Sequence, residues 1–179
     1  MAKVASMKIF GLAGWSGSGK TSLLARLIPE LTKDGLLVST VKHAHHSFDV
    51  DQPGKDSYVH RKAGAHEVMV VSQNRWALMH ENRACVEPDL TQSIARMSNV
   101  DLVLVEGFKS YPHPKLEVHR TILGKPLLYG TDPHIVAVAS DTPQSKIDIT
   151  VLDLADTGAI ADFILDYCGL ATVAAEEAP

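Results

Sequence analysis

The chain is poor in the features that mark secreted, membrane-spanning or highly charged proteins. It has only two cysteines in 179 residues. Cys85 and Cys168 are far apart in sequence and share no C-x-x-C spacing, so they read as free thiols in a reducing compartment, not as a disulfide framework or a zinc site. No apolar run approaches the roughly 18 residues of a membrane span. The leader Met1–Ser6 is too short and insufficiently apolar for a secretory signal. A cytoplasmic protein without membrane contact is therefore expected. Neither sign of charge is in large excess, with 17 basic against 21 acidic side chains and a net charge of −4. That balance argues against a nucleic-acid partner held by bulk charge. No internal repeat is visible.

Apolar residues make up 45% of the chain, ordinary for a globular protein. The length suits one nucleotide-binding domain over 1–179, with 1–6 and 171–179 as frayed termini. Its centre is Gly14-Trp15-Ser16-Gly17-Ser18-Gly19-Lys20-Thr21, a full match to the phosphate-loop pattern G-x-x-x-x-G-K-[ST]. Glycines let the backbone curl so that N–H groups face an anion, and the start of the next helix adds its unpaired N–H groups and positive dipole end. Lys20 can reach the β- and γ-phosphates, and the Thr21 hydroxyl can ligate Mg²⁺. The setting agrees: Lys8–Ala13 reads as a buried strand and Ser22–Ile28 as a helix with an apolar face.

Further along, Pro29 predicts a kink, or a break with a short continuation through Lys33. Leu36–Val41 reads as a second strand, completing a β-loop-α-β unit that favours a parallel sheet. Lys42–Asp56 is a long polar stretch, of a length that is usually functional or mobile. Ser57–Ala63 suggests a short helix ended by Gly64. His66–Ser72 and Trp76–Met79 are strand candidates that Gln73–Arg75 could join as a hairpin, though an ordinary loop also fits. Pro88-Asp89-Leu90 opens a helix to about Met97. Asp101–Gly107 is the most strand-like run. Lys115–Arg120 alternates polar and apolar residues and predicts a half-exposed strand. Ile135–Ala139 is another buried strand, Ile149–Leu152 a further candidate, and Asp156-Thr157 caps a closing helix to about Tyr167. The fold class expected is α/β: a three-layer P-loop NTPase-like sandwich with a mainly parallel central sheet and a β-hairpin extension.

Glu106 would sit at the carboxyl end of its strand, where open α/β sheets bind ligands. There it could hold Mg²⁺ or orient a water, although Asp is the usual residue. Gly107 beside it would leave room for a close phosphate. Glu106 and Lys20 are the candidates for catalysis, Thr21 and Glu106 for the metal. Asp101, at the far end of the strand, reads as a turn residue. His43, His45 and His46, with Asp49 and Asp51 nearby, could form a metal site, but a neutral or cationic contact on the phosphate side, or a loop that closes over the nucleotide, fits better. Lys55 and Arg61 could add charge toward phosphate, though solvated surface is their default reading. Asp141 follows a buried strand and could accept from guanine N1–H and N2–H₂ groups. It serves equally well as a turn residue before Pro143, and no N-K-x-D signature is present.

Together these residues resemble the molybdopterin-guanine dinucleotide biosynthesis adaptor family, MobB. The likeness rests on the phosphate loop and on Thr40-Val41-Lys42-His43 with His45-His46, Phe48-Asp49-Val50-Asp51, Pro53–Ser57 and Ala63-Gly64-Ala65. Asp101–Lys109, Pro114–Val118 and the strand ending at Asp141 extend it to roughly residues 7–167. The resemblance implies a P-loop protein that binds GTP with Mg²⁺, hydrolyses it weakly at most, and forms a homodimer. It also implies work beside the guanylyltransferase that joins GMP to molybdopterin, with molybdopterin and molybdoenzyme maturation factors as further partners. On this view Gly14–Thr21 hold the phosphates, and Lys42, His43 and Asp56 lie near the nucleotide or the pterin-bearing partner. A small-molecule kinase and a GTP-dependent metal-delivery protein are the alternatives.

Overall fold

In the computed structural model the residues described are 7–44, 48–83, 86–145 and 147–170. They fall into two compact units, 1–43 with 97–179, and 44–96. The first is built on six strands: β1 (Lys8–Ala13), β2 (Val38–Lys42), β5 (Leu102–Glu106), β6 (Lys115–His119), β7 (Ile135–Ser140) and β8 (Thr150–Asp153). They form one sheet in the order β2-β5-β1-β6-β7-β8, and every pairing is parallel. The carboxyl ends of β5, β1 and β6 therefore lie side by side at one edge.

Two helices pack together with one face of this sheet, α1 (Lys20–Thr32) and α4 (Thr157–Cys168). Alternation in the strands sends Phe10, Leu12, Leu102, Leu104, Leu116 and Val118 into their core. Spacing of three and four residues in α1 aims Leu23, Leu24, Leu27 and Leu31 at the same core. Each such side chain contributes about 1.5–3 kcal/mol when fully buried. α4 is capped by Asp156, which accepts from Ala159 N at 2.9 Å, and it ends at Gly169 with φ 64°. The sandwich, its parallel sheet and the hairpin described below agree with the sequence.

Two details differ. α1 runs through Pro29 without a break; Leu31 buries the last turn, and the Thr32 hydroxyl donates to Ile28 O at 2.9 Å. β6 is not half-exposed. It lies between β1 and β7, and Lys115, Glu117 and His119 are as buried as Leu116 and Val118. Each polar side chain has a partner from the segments that flank the strand. Lys115 Nζ donates to Tyr111 O at 2.9 Å and pairs with Asp132 at 3.1 Å. The Glu117 carboxylate accepts from Leu128 N and Tyr129 N at 2.8–2.9 Å. Burial pushes its pKa up.

The second unit holds α2 (Asp56–Lys62), β3 (Glu67–Val71), β4 (Trp76–His80) and α3 (Leu90–Ile94). β3 and β4 form an antiparallel hairpin, from Glu67 opposite His80 to Val71 opposite Trp76. α3 is shorter than its sequence suggests. A capping box fixes its start, with Asp89 accepting from Gln92 N and Gln92 Oε1 accepting from Asp89 N. No helix among the described residues is long and apolar enough to cross a membrane.

Candidate functional site

The site begins where β1 ends. Gly14 takes φ 140°, a conformation L side chains rarely adopt, and a Cβ there would stand 2.7 Å from Ser18 Oγ. The loop from Gly14 leads into α1 through Gly19, the helix N-cap. Lys20 Nζ folds back on the loop and donates to Gly14 O and Trp15 O at 2.9 Å each. Burial lowers the Lys20 pKa; Glu106 opposes the shift, while Lys109 and Lys42 add to it. The Ser18 hydroxyl is buried and has no hydrogen-bond partner among the described residues. Ser16 and Gly17 are exposed. Trp15 is anchored by its indole N–H to Pro126 O at 2.8 Å, with Lys125 Nζ 5.6 Å from its ring centroid.

On the β5 side stands Glu106, in register with Leu12 of β1 and Lys42 of β2. The Thr21 hydroxyl donates to its carboxylate, with oxygens at 3.0 and 3.2 Å, and Lys42 Nζ lies 3.8 Å away. Lys20 and Lys42 thus both feel the Glu106 carboxylate, and Lys109 adds its charge near Lys20, so cations outnumber the one carboxylate and the locality suits an anion. The paired hydroxyl and carboxylate are hard oxygen donors of the kind Mg²⁺ takes. His43 N donates to Glu106 O at 2.8 Å, and its ring stacks on Phe108 at 4.5 Å. Gly107 has φ 99° and Phe108 φ 48°. A Cβ on Gly107 would meet His43 Cβ at 2.6 Å, so the space this glycine frees is occupied by His43, not left open for a phosphate. Positive φ at a phenylalanine beside the acidic residue is the sort of strain that collects at functional sites.

Asp141 lies past β7, beyond the far side of β6. Its carboxylate accepts from Thr121 N at 3.0 Å, which holds its pKa below the usual range. It lines a cavity of about 380 Å³ with Thr142, Gln144, Val151, Leu152 and Asp153. Asp56 begins α2 and is exposed, in the other unit. Asp49 and Asp51 bond to Arg61 at 2.7 and 2.8 Å, and Glu81 adds a contact at 3.5 Å. Arg61 is thus the centre of an ion-pair cluster rather than a solvated charge. His45 and His46 lie outside the described residues. Among the described residues no three His, Cys, Asp or Glu side chains gather as metal ligands.

Two residues at the site carry no local sequence signal. Lys109 acts on Lys20 through space. Arg120 donates from Nε to Ser18 O at 3.1 Å. Only the strand order, which sets β6 against β1, reveals the second.

Residues 9–141 match the family model for molybdopterin guanine dinucleotide synthesis protein B, MobB. The chain belongs to the MobB family. It is 45% identical to the molybdopterin-guanine dinucleotide biosynthesis adapter protein of Escherichia coli K12, covering 93% of this chain and 97% of that protein. The protein of the same name in Haemophilus influenzae is 44% identical, with 89% and 88% covered. A crystal structure of molybdopterin-guanine biosynthesis protein B superposes with a TM-score of 0.70 at 28% identity, over 89% of this chain and 99% of that one. The MobB homolog from Bacillus stearothermophilus gives 0.68 at 23%, over 92% and 100%, a likeness of fold. In this MobB chain the matched span contains the Gly14–Thr21 loop, Glu106 and Asp141.

Proposed function

We propose that this MobB chain is an adapter in molybdopterin-guanine dinucleotide biosynthesis that binds GTP and Mg²⁺ at the Gly14–Thr21 loop. The observation that carries the reading is the Thr21–Glu106 contact beneath that loop. Residues 85 positions apart meet where a metal-bound phosphate would need both. Phosphate oxygens would take over the Lys20 donors now given to Gly14 O and Trp15 O, and the unpartnered Ser18 hydroxyl fits a polar ligand. Thr21 and Glu106 would hold Mg²⁺, which supplies charge neutralisation between the phosphates. Lys20 would stabilise charge on the terminal phosphate, and Glu106 would orient water in a weak GTPase reaction. Lys42 and His43 border this side, and Asp141 with its cavity offers a place for guanine. The adapter would work as a homodimer beside the guanylyltransferase.

The test is a calorimetric competition of GTP against ATP with Mg²⁺, repeated with the guanylyltransferase present. GTP should bind in preference, and the transferase should change its affinity. A protein that binds neither GTP nor GDP at micromolar concentrations would sink the reading.

One observation favours a small-molecule kinase as second reading. A cavity of about 410 Å³, bordered by Ala13, Gly107, Lys109, Ser110, Thr131 and His134, adjoins Glu106 and could hold a phosphate acceptor. Phosphoryl transfer from ATP to an added pterin or nucleoside, faster than hydrolysis, would support it.

A further inference from the structure

Glu106 of β5 and Lys42 of β2 stand on one side of the loop, and Arg120, just past β6, stands on the other. β6 ends at His119, and the next residue, Arg120, reaches back along the loop. Its Nε donates to Ser18 O at 3.1 Å. A Cβ built on Gly19 would stand 3.3 Å from Nε and 3.4 Å from Nη2, so the guanidinium lies against the peptide that opens α1. The following residue ties this corner to Asp141: Thr121 N donates to its carboxylate at 3.0 Å, and the Thr121 and Thr142 hydroxyls are 2.6 Å apart. Arg120 therefore sits between the loop and the Asp141 cavity. Its positive charge adds to the Thr121 N–H in stabilising the ionised Asp141.

Among the described residues only Nε of this guanidinium has a partner, which leaves four N–H donors on the two Nη atoms. A half-buried guanidinium with unused, forked donors, beside a helix start whose N–H groups favour anions, suits paired contacts to phosphate oxygens. A purely structural role would need only the Nε bond.

We infer that Arg120 is a phosphate-binding cation of this site, supplied from the residue that follows β6 to the phosphates nearest the nucleoside. The inference rests on the nucleotide-binding reading above. It divides the labour: Lys20 with Thr21 and Glu106 serves the terminal phosphate and the metal, and Arg120 serves the α- and β-phosphates on the Asp141 flank.

The experiment is a titration of wild type, Arg120→Ala and Arg120→Lys with GTP, GDP and guanosine. Loss of a charge-assisted contact should weaken GTP and GDP alike in Arg120→Ala, by about 10- to 100-fold, and leave guanosine unchanged. Arg120→Lys should recover part of the loss. Millimolar guanidinium should restore part of the Arg120→Ala affinity without improving wild type. Several results would overturn the inference: unchanged GTP and GDP affinity, equal loss for guanosine without rescue, or loss confined to GTP. If Arg120→Ala fails to fold, the lysine variant carries the same comparison. Wild-type protein that binds no nucleotide defeats the parent reading as well. Wild-type binding matched by both variants defeats only the role of Arg120.

Discussion

In the sheet unit, β1, β5, β6 and β7 bury nearly every side chain, polar ones included, and each buried charge on β6 has a partner from its own loops. In the 44–96 unit, the hairpin leaves most of both strands exposed: Met69 is 58%, Val71 68% and Trp76 63% accessible. One unit can close a core around its loop. The other presents apolar surface of the kind that marks an interaction site. If the proposed function holds, the first unit would carry ligand chemistry and the second the association, with the hairpin as the face on which the proposed homodimer would form.

The largest expected effect separates the two units. Leu104→Ala should cost about 2–5 kcal/mol in a urea titration, whereas Val71→Ala should stay within about 0.5 kcal/mol. Equal effects would erase the distinction. Next comes the loop itself. Lys20→Ala should weaken GTP binding by about 1.5–3 kcal/mol, 10-fold or more, with unchanged thermal melting. Glu117→Ala should cost about 1–3 kcal/mol by orphaning Leu128 N and Tyr129 N, read as a lowered denaturant midpoint. In the hairpin, Val71→Asp with Trp76→Asp should halve the molar mass seen by light scattering and leave GTP affinity intact. The smallest effect is a fraction of a proton. Burial lowers the Lys20 pKa in the free loop, and a phosphate would raise it again. Binding at alkaline pH should therefore take up protons, and affinity should fall as pH rises through the lowered value. Calorimetry in buffers of different ionisation enthalpy would show it, and equal heats would refute it.

Much of this was legible in the sequence because the signals were local. Lys8–Ala13, the glycine loop and the apolar spacing of α1 lie within 25 residues, and each depends on its neighbours. The strand ending at Glu106 was legible from its composition, as was its place at a carboxyl end. β6 was not. Alternating Lys, Glu and His reads as a solvated face unless one knows that Asp132 and the 128–129 backbone return to satisfy it. Arg61 hid for the same reason, since Asp49 and Asp51 come from the segment before α2 and Glu81 from beyond β4. Gly107 had a reason to be glycine, but the reason was His43 and the chain direction, not space for a ligand. Arg120 required the sheet order.

The buried carboxylate of Glu117 has a mechanical consequence. It holds the 128–129 backbone over β6, and two residues earlier the same segment offers the Pro126 carbonyl that secures Trp15. One strand side chain thus acts as a gauge, setting the height of a bridge whose other end rests on the Gly14–Thr21 loop. A slip of one residue in β6 would turn Glu117 to the other face, releasing the 128–129 backbone and with it the anchor of Trp15.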